Sequence, residues 1–203
     1  MSPNPVTKTE KTRQQIITTA YALFIRQGYH GTSMRQIARE AKIALGSIYN
    51  HFDTKENLFE AIFYTYHPYQ QLIPAIQQTS GDTVEVFVRN LASRMVEILN
   101  NSPEFLNLVF IDFVEFQNKY TRSILEKNLH QFIDVYQRIS QVDNSRLRPI
   151  PPFILIRSFF SLFFSYFVTG VVIRSAPETL AALERNAFDY FVDIYLHGIL
   201  VTE

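Results

Sequence analysis

Residues 32–55 read TSMRQIAREAKIALGSIYNHFDTK. Thr32 or Ser33 stands where a helix N-cap belongs, and Ile37, Ala38 and Ala41 follow at helical steps. Lys42-Ile43-Ala44 makes a three-residue turn into a short helix from about Leu45 to His51. Two short helices joined this way match a helix-turn-helix. Ala38 is small enough for the helices to approach closely, and Ile37, Ile43 and Ile48 are spaced to seal the hinge. The second helix is too short and polar to stand alone, and its outward residues are Leu45, Gly46, Ser47, Tyr49 and Asn50. Such a helix either lies in the major groove of duplex DNA with its N-terminal residues at base edges, or it belongs to a helical hairpin that meets no ligand.

Helical periodicity continues on both sides. A first helix from about Glu10 to Gln27 carries Ile16, Ala20 and Phe24 on one stripe, and Gly28 sits at its C-terminus. Residues 1–8 read as a frayed tail. After the motif, Asp53 or Thr54 caps a helix bearing Leu58, Phe59, Ile62 and Phe63, which Pro68 and Pro74 kink or interrupt. Further helices are predicted from Asp82 to Asn100, from the Ser102-Pro103 cap to Asn118, and from Tyr120 to Gln141. The segment Asp143 to Pro152 reads as a loop, and Pro151-Pro152 opens an aromatic-rich helix to Ile173. Ser175 to Glu178 has the spacing of a capping box, and the last helix runs to Val201. The reading is all-α, about nine helices, with a small N-terminal head and a larger helical-bundle body.

Composition narrows the classes. With 47% hydrophobic and 19% charged residues, the 203-residue chain can bury a core and is not disordered throughout. Basic and acidic residues balance at 19 each, which excludes a uniformly basic nucleic-acid coat. The balance is uneven along the chain: residues 1–67 hold eight Lys/Arg against five acids. A basic head on an acidic body points to a polyanion at the head. The absence of cysteine excludes disulfides, iron–sulfur clusters and thiolate zinc sites, and suits a reducing cytosol. The polar run Met1–Thr12 carries no apolar core of a secretory leader. Between Arg157 and Arg174 lie the uncharged residues SFFSLFFSYFVTGVVI. As a helix they span roughly 24 Å, short of a ~30 Å hydrocarbon core, so a helix buried on more than one side is expected rather than a membrane span.

From about Thr12 to Tyr66 the chain resembles the TetR family of bacterial transcriptional regulators. The resemblance is carried by Ala20, Phe24, Gly28-Tyr29, Thr32, Ile37-Ala38, Ala41, Gly46, Ile48-Tyr49, His51-Phe52, Lys55 and Leu58-Phe59. The loop Leu147-Arg148-Pro149 before a long aromatic helix is similar to the AcrR-like members. The resemblance implies a DNA-binding domain over 9–55 and a ligand-binding and dimerisation domain over 56–203. Three positions depart from the family pattern: Lys42 replaces a common glycine, Ala44 a common Ser/Thr cap, and Asn50 a common aromatic.

Chemistry and resemblance together assign roles. Tyr49, His51 and Lys55 are expected on phosphates, with Thr32 holding one at the start of the second helix. Arg35, Leu45, Gly46, Ser47 and Asn50 are expected at bases; Asn50 can pair bidentately with adenine and Leu45 offers apolar contact to a thymine methyl. The resemblance further implies a homodimer whose last two helices pair with their mates. The stripe Leu183, Ala187, Phe191, Ile194 and Gly198 agrees with that. On the preceding helix, Phe160, Phe164, Phe167 and Val171 form one stripe and Phe159, Phe163, Tyr166 and Ile173 another.

The body's aromatic richness points to a small apolar or aromatic effector, with Phe113, Phe116, Tyr136 and Phe163 as candidate pocket walls. Asp112 and Glu115, and the ladder Glu126, His130, Asp134, read as solvated helix faces rather than acid–base or metal sites. No metal-protease, hydrolase-elbow, phosphate-loop or dinucleotide signature is present. The expectation is therefore a cytoplasmic, ligand-responsive repressor of operator DNA. It is no enzyme, and no cofactor, metal or membrane is called for. The alternative is a helical ligand-binding or catalytic bundle without specific DNA binding.

Overall fold

The computed structural model describes residues 7–102, 105–143, 146–175 and 186–201. Among them are eleven helices. In chain order these are α1 (Lys8–Gln27), α2 (Met34–Glu40), α3 (Leu45–Tyr49), α4 (Lys55–Tyr66), α5 (Tyr69–Gln78), α6 (Val84–Asn100), α7 (Phe105–Glu115), α8 (Lys119–Lys127), α9 (Leu129–Asp143), α10 (Pro152–Arg174) and α11 (Ala187–Ile199). The Pro103-Glu104 part of one expected cap, the Ser175–Glu178 capping box beyond Ser175, and Leu183 lie outside the described residues.

Two of the expected helices are each divided. The fourth breaks at His67-Pro68, where His67 takes extended geometry (ψ 129°) and proline cannot continue the ladder; Pro74 stays inside α5. The seventh breaks at Asn128, whose side-chain amide donates to the Ile124 carbonyl (2.8 Å), a local bond that competes with the helix. Ser33 and Thr54, of the candidates offered by the sequence, cap α2 and α4; Thr7 and Thr83 cap α1 and α6, so α1 starts within the stretch expected to fray and α6 starts two residues after Asp82.

The chain packs as two compact units, residues 1–67 with 104–123 and residues 68–103 with 124–203. By packing, α4 belongs with the head, because Leu58, Phe59, Ile62 and Phe63 are buried together with Ile16, Ile17, Ala20, Leu23 and Phe24 of α1. Helix α7 joins this unit too. Phe116 stacks on Phe59 (ring centroids 4.8 Å) and meets Tyr29 edge-on (5.1 Å). Asp112 is fully buried rather than solvated: its carboxylate accepts the backbone N–H groups of Tyr120 (3.1 Å) and Thr121 (2.8 Å) and so caps α8. Glu115 is likewise occupied, accepting from His30 Nε2.

The second unit is built around α6, whose Val84, Phe87, Val88, Leu91, Ala92, Met95 and Leu99 are buried. Leu155, Phe159, Phe163 and Phe167 of α10 and Val192, Tyr195 and Ile199 of α11 complete the core. Arg138 of α9 donates to the carbonyls of Ile76 (2.8 Å), Gln77 (2.9 Å) and Thr79, satisfying the end of α5. The loop before α10 is tied down by the Leu147–Leu200 bridge and by Arg148, whose guanidinium donates to Gly198 O (2.9 Å).

Helix α10 is buried along one stripe, not two. Phe159, Phe163, Phe167 and Gly170 face the core, while Phe153, Ile154, Phe164 and Val172 are exposed in the single chain. On α11 the stripe expected from sequence is the outer one: Val192, Tyr195 and Ile199 pack inward, and Ile194 is 61% exposed. Helix α10 is long and apolar enough to cross a membrane by length and composition, and one stripe of it, including Phe159, Phe163 and Phe167, is buried in the second unit.

Candidate nucleic-acid interface and ligand groove

Helix α3 contributes one side chain to the core, Ile48. Its other four residues are therefore left toward the surface: Gly46 and Tyr49 are exposed, and Leu45 and Ser47 are half-buried. Asn50, the C-cap of α3, and Arg35 on α2 are also exposed, and His51 is half-buried. The turn before α3 bears two of the three departures noted in the sequence. Lys42 takes the left-handed conformation (φ 54°) that usually goes to glycine. Ala44 is the N-cap and supplies no side-chain hydrogen bond.

Two of the nominated phosphate contacts have work inside the head. Thr32 is 1% exposed, and its hydroxyl donates to Gly28 O (3.0 Å). Its side chain is thereby withdrawn from any phosphate; the neighbouring Ser33, exposed, is the residue that caps α2. Lys55 donates to the carbonyls of Tyr29 (2.9 Å) and Thr32 (3.0 Å), and its ammonium lies 4.1 Å from the Tyr29 ring centroid. Partial burial lowers its pKa, against the opposing charge of Glu115. Lys55 thus braces the start of α4 against the α1–α2 turn and keeps one donor in reserve.

Gly46 has no structural reason within the chain to be glycine. A Cβ built there meets nothing within 4 Å, and its φ is not positive. Glycine inside a helix costs roughly 0.5–1 kcal/mol relative to alanine. The empty surface beside it is the kind of place where another backbone comes close.

The four nominated pocket walls are not brought together. Phe116 is locked into the aromatic cluster of the head unit, and Phe113 points away from it, 62% exposed. Phe163 is fully buried in the core of the second unit, packed on Phe159. Tyr136, on α9, is half-buried and is not among the walls of the apolar groove in the second unit. A filled core uses the same ring-rich helices as a cavity wall does. Among the described residues, an open apolar groove of about 730 Å³ lies in the second unit. Leu125, Leu129, Phe132 and Ile133 of α8 and α9 form one side, and Phe153, Ile156, Arg157, Phe160 and Ser161 of α10 the other. Its size suits a small organic ligand. The readable signal was Arg157 interrupting an apolar run just after Pro151-Pro152.

A short helix seated by one core residue on a capped partner helix, in a basic head, defines a DNA-binding protein of the helix-turn-helix class. Residues 16–62 match the family described as bacterial regulatory proteins, tetR family. The chain is 26% identical over 166 residues to the uncharacterised HTH-type transcriptional regulator YfiR of Bacillus subtilis, covering 79% of this chain and 80% of that protein. It is 46% identical over 66 residues to the HTH-type transcriptional regulator HbdR of Aromatoleum sp., a match that covers 32% of this chain and 29% of that protein. Among solved structures, NalD, the secondary repressor of the MexAB-OprM multidrug efflux pump in Pseudomonas aeruginosa, superposes with a TM-score of 0.65 at 24% identity, covering 97% and 100% of the two chains. Residues 16–62 thus carry a DNA-binding segment of the tetR type, and the chain as a whole shares the fold of NalD.

Proposed function

We propose that the chain is a cytoplasmic, ligand-responsive repressor that holds a near-palindromic operator as a homodimer and leaves it when a small apolar effector occupies the body. The observation that carries the DNA half is Gly46, a helix glycine with open space beside it on the exposed side of α3. Arg35, Leu45, Gly46, Ser47 and Asn50 read bases. Tyr49, His51, Ser33 and the remaining donor of Lys55 hold phosphates. The half-exposed groove supports the effector half. The exposed Tyr190 and Ile194 of α11 with Phe164 and Val172 of α10 support pairing through the last two helices. Repression, rather than activation, is the reading favoured by likeness to NalD. The dimer sets two recognition helices roughly 34–36 Å apart, one turn of B-DNA. The effector favours a dimer whose heads no longer match that spacing.

The test is operator selection from a random duplex pool at fixed salt. Recovery of a near-palindrome is expected, with Asn50→Ala relaxing the choice of base at one symmetric pair of positions. A folded dimer that recovers no sequence returns the chain to the reading of a ligand-binding bundle without specific DNA.

A further inference from the structure

The groove in the second unit is polarised. Its floor is Phe132, Ile156 and Phe160, with Phe132 and Phe160 in edge-to-face contact (5.1 Å). Leu125, Leu129, Ile133 and Phe153 rise along it as exposed apolar side chains. Arg157 is the one charged residue among its walls, and it makes no ion pair or hydrogen bond among the described residues. Phe153, Arg157 and Ser161 follow one another at four-residue steps, so the polar groups lie along a single line of α10.

We infer that this groove takes a single-chain amphiphile with an anionic head, its tail laid along the apolar walls and its carboxylate on Arg157. A neutral greasy ligand would leave the guanidinium without a counter-charge, and a cationic one would be repelled by it. Two turns of α10, from Phe153 to Ser161, span roughly 12 Å, the length of an extended chain of about ten carbons. The inference deepens the effector reading, and its regulatory meaning rests on that reading; binding itself does not.

The probes are decanoate and decanol, titrated by calorimetry into the full chain. Decanoate is expected to bind about tenfold more tightly than decanol. Arg157→Gln removes that preference while decanol binding is unchanged, Arg157→Lys keeps part of it, and Leu129→Glu weakens both ligands without changing the oligomeric state. Equal affinities in the wild type, a preference that survives Arg157→Gln, or no binding of either probe overturns the inference. So does dissociation of Leu129→Glu into monomers, which shows the groove to be covered by a second copy. Operator release is read separately. Decanoate that binds through Arg157 and leaves the operator complex intact keeps the ligand assignment and removes the effector role.

Discussion

At residue scale, two positions in the head separate the demands of folding from those of DNA. Lys42 sits at φ 54°, where an L side chain costs about 1–2 kcal/mol. Lys42→Gly relieves that strain, and the greater freedom of glycine in the unfolded chain offsets roughly half of the gain. A net stabilisation of about 0.5–1 kcal/mol is expected by urea denaturation; no gain would mean that the lysine side chain supplies an equal contact. Gly46→Ala should also stabilise the fold, by roughly 0.5–1 kcal/mol, because helix propensity rises and the new methyl meets nothing. Operator affinity should nevertheless fall at least tenfold, since the methyl occupies the space left for DNA. Unchanged affinity would falsify the assignment of Gly46 to the interface.

His67 gives the head unit a pH dependence. Burial beside Phe63 and Phe105 pushes its pKa down to about 4, with the Asp112 charge pulling the other way. An unfolded histidine titrates near 6.5, so between these values the unfolded chain binds the extra proton and the folded one does not. Stability is then fully present above pH 6.5 and declines as the pH drops toward 4. His67→Gln should flatten that part of the curve. An identical loss of melting temperature between pH 7 and pH 5 in wild type and variant would assign the decline to other groups.

At the scale of elements, α11 buries one apolar stripe, while on its other side Phe191 meets Tyr166 and, among the described residues, Tyr190 and Ile194 stay exposed. Phe188, Val192, Tyr195 and Ile199 lie at steps of three and four, with Tyr195 donating its hydroxyl to Leu155 O (2.8 Å). Ile194→Glu should therefore leave helicity and monomer packing intact while splitting the dimer, read by sedimentation. A variant that remains dimeric would move the interface off this face. The same helix shows how far sequence reaches. Periodicity located the outer stripe, but a stripe carries no mark of whether its partner is the same chain or another copy. The caps Ser33 and Thr54 were legible because they act on the next turn only. The roles of Thr32, Lys55 and Asp112 were not, because their bonds are set by how helices come together. Lys55 reaches back to Tyr29, and Asp112 forward to Tyr120. The groove depends on packing in the same way: Leu129 and Phe153 have apolar side chains fit for a core, packing leaves them bare, and Arg157 is the groove's one mark in the sequence.

At the scale of the whole molecule, charge and symmetry make a joint demand on binding. The head segment, residues 1–67, carries three more basic than acidic residues, and the remainder of the chain carries three fewer, so phosphate attraction belongs to the heads. One head offers few phosphate contacts; two heads on one operator double them. Each phosphate contact contributes a slope near −0.9 to the dependence of log affinity on log salt concentration. The dimer should thus show about twice the salt slope of an Ile194→Glu monomer on a single half-site. Inserting about five base pairs, half a helical turn, between half-sites turns one recognition helix to the opposite side of the duplex. Both affinity and slope should then fall to the monomer values, measured by titration across a salt series. If the inserted operator kept the full slope, the two heads would have to reach DNA independently, and an effector could not act by changing their spacing.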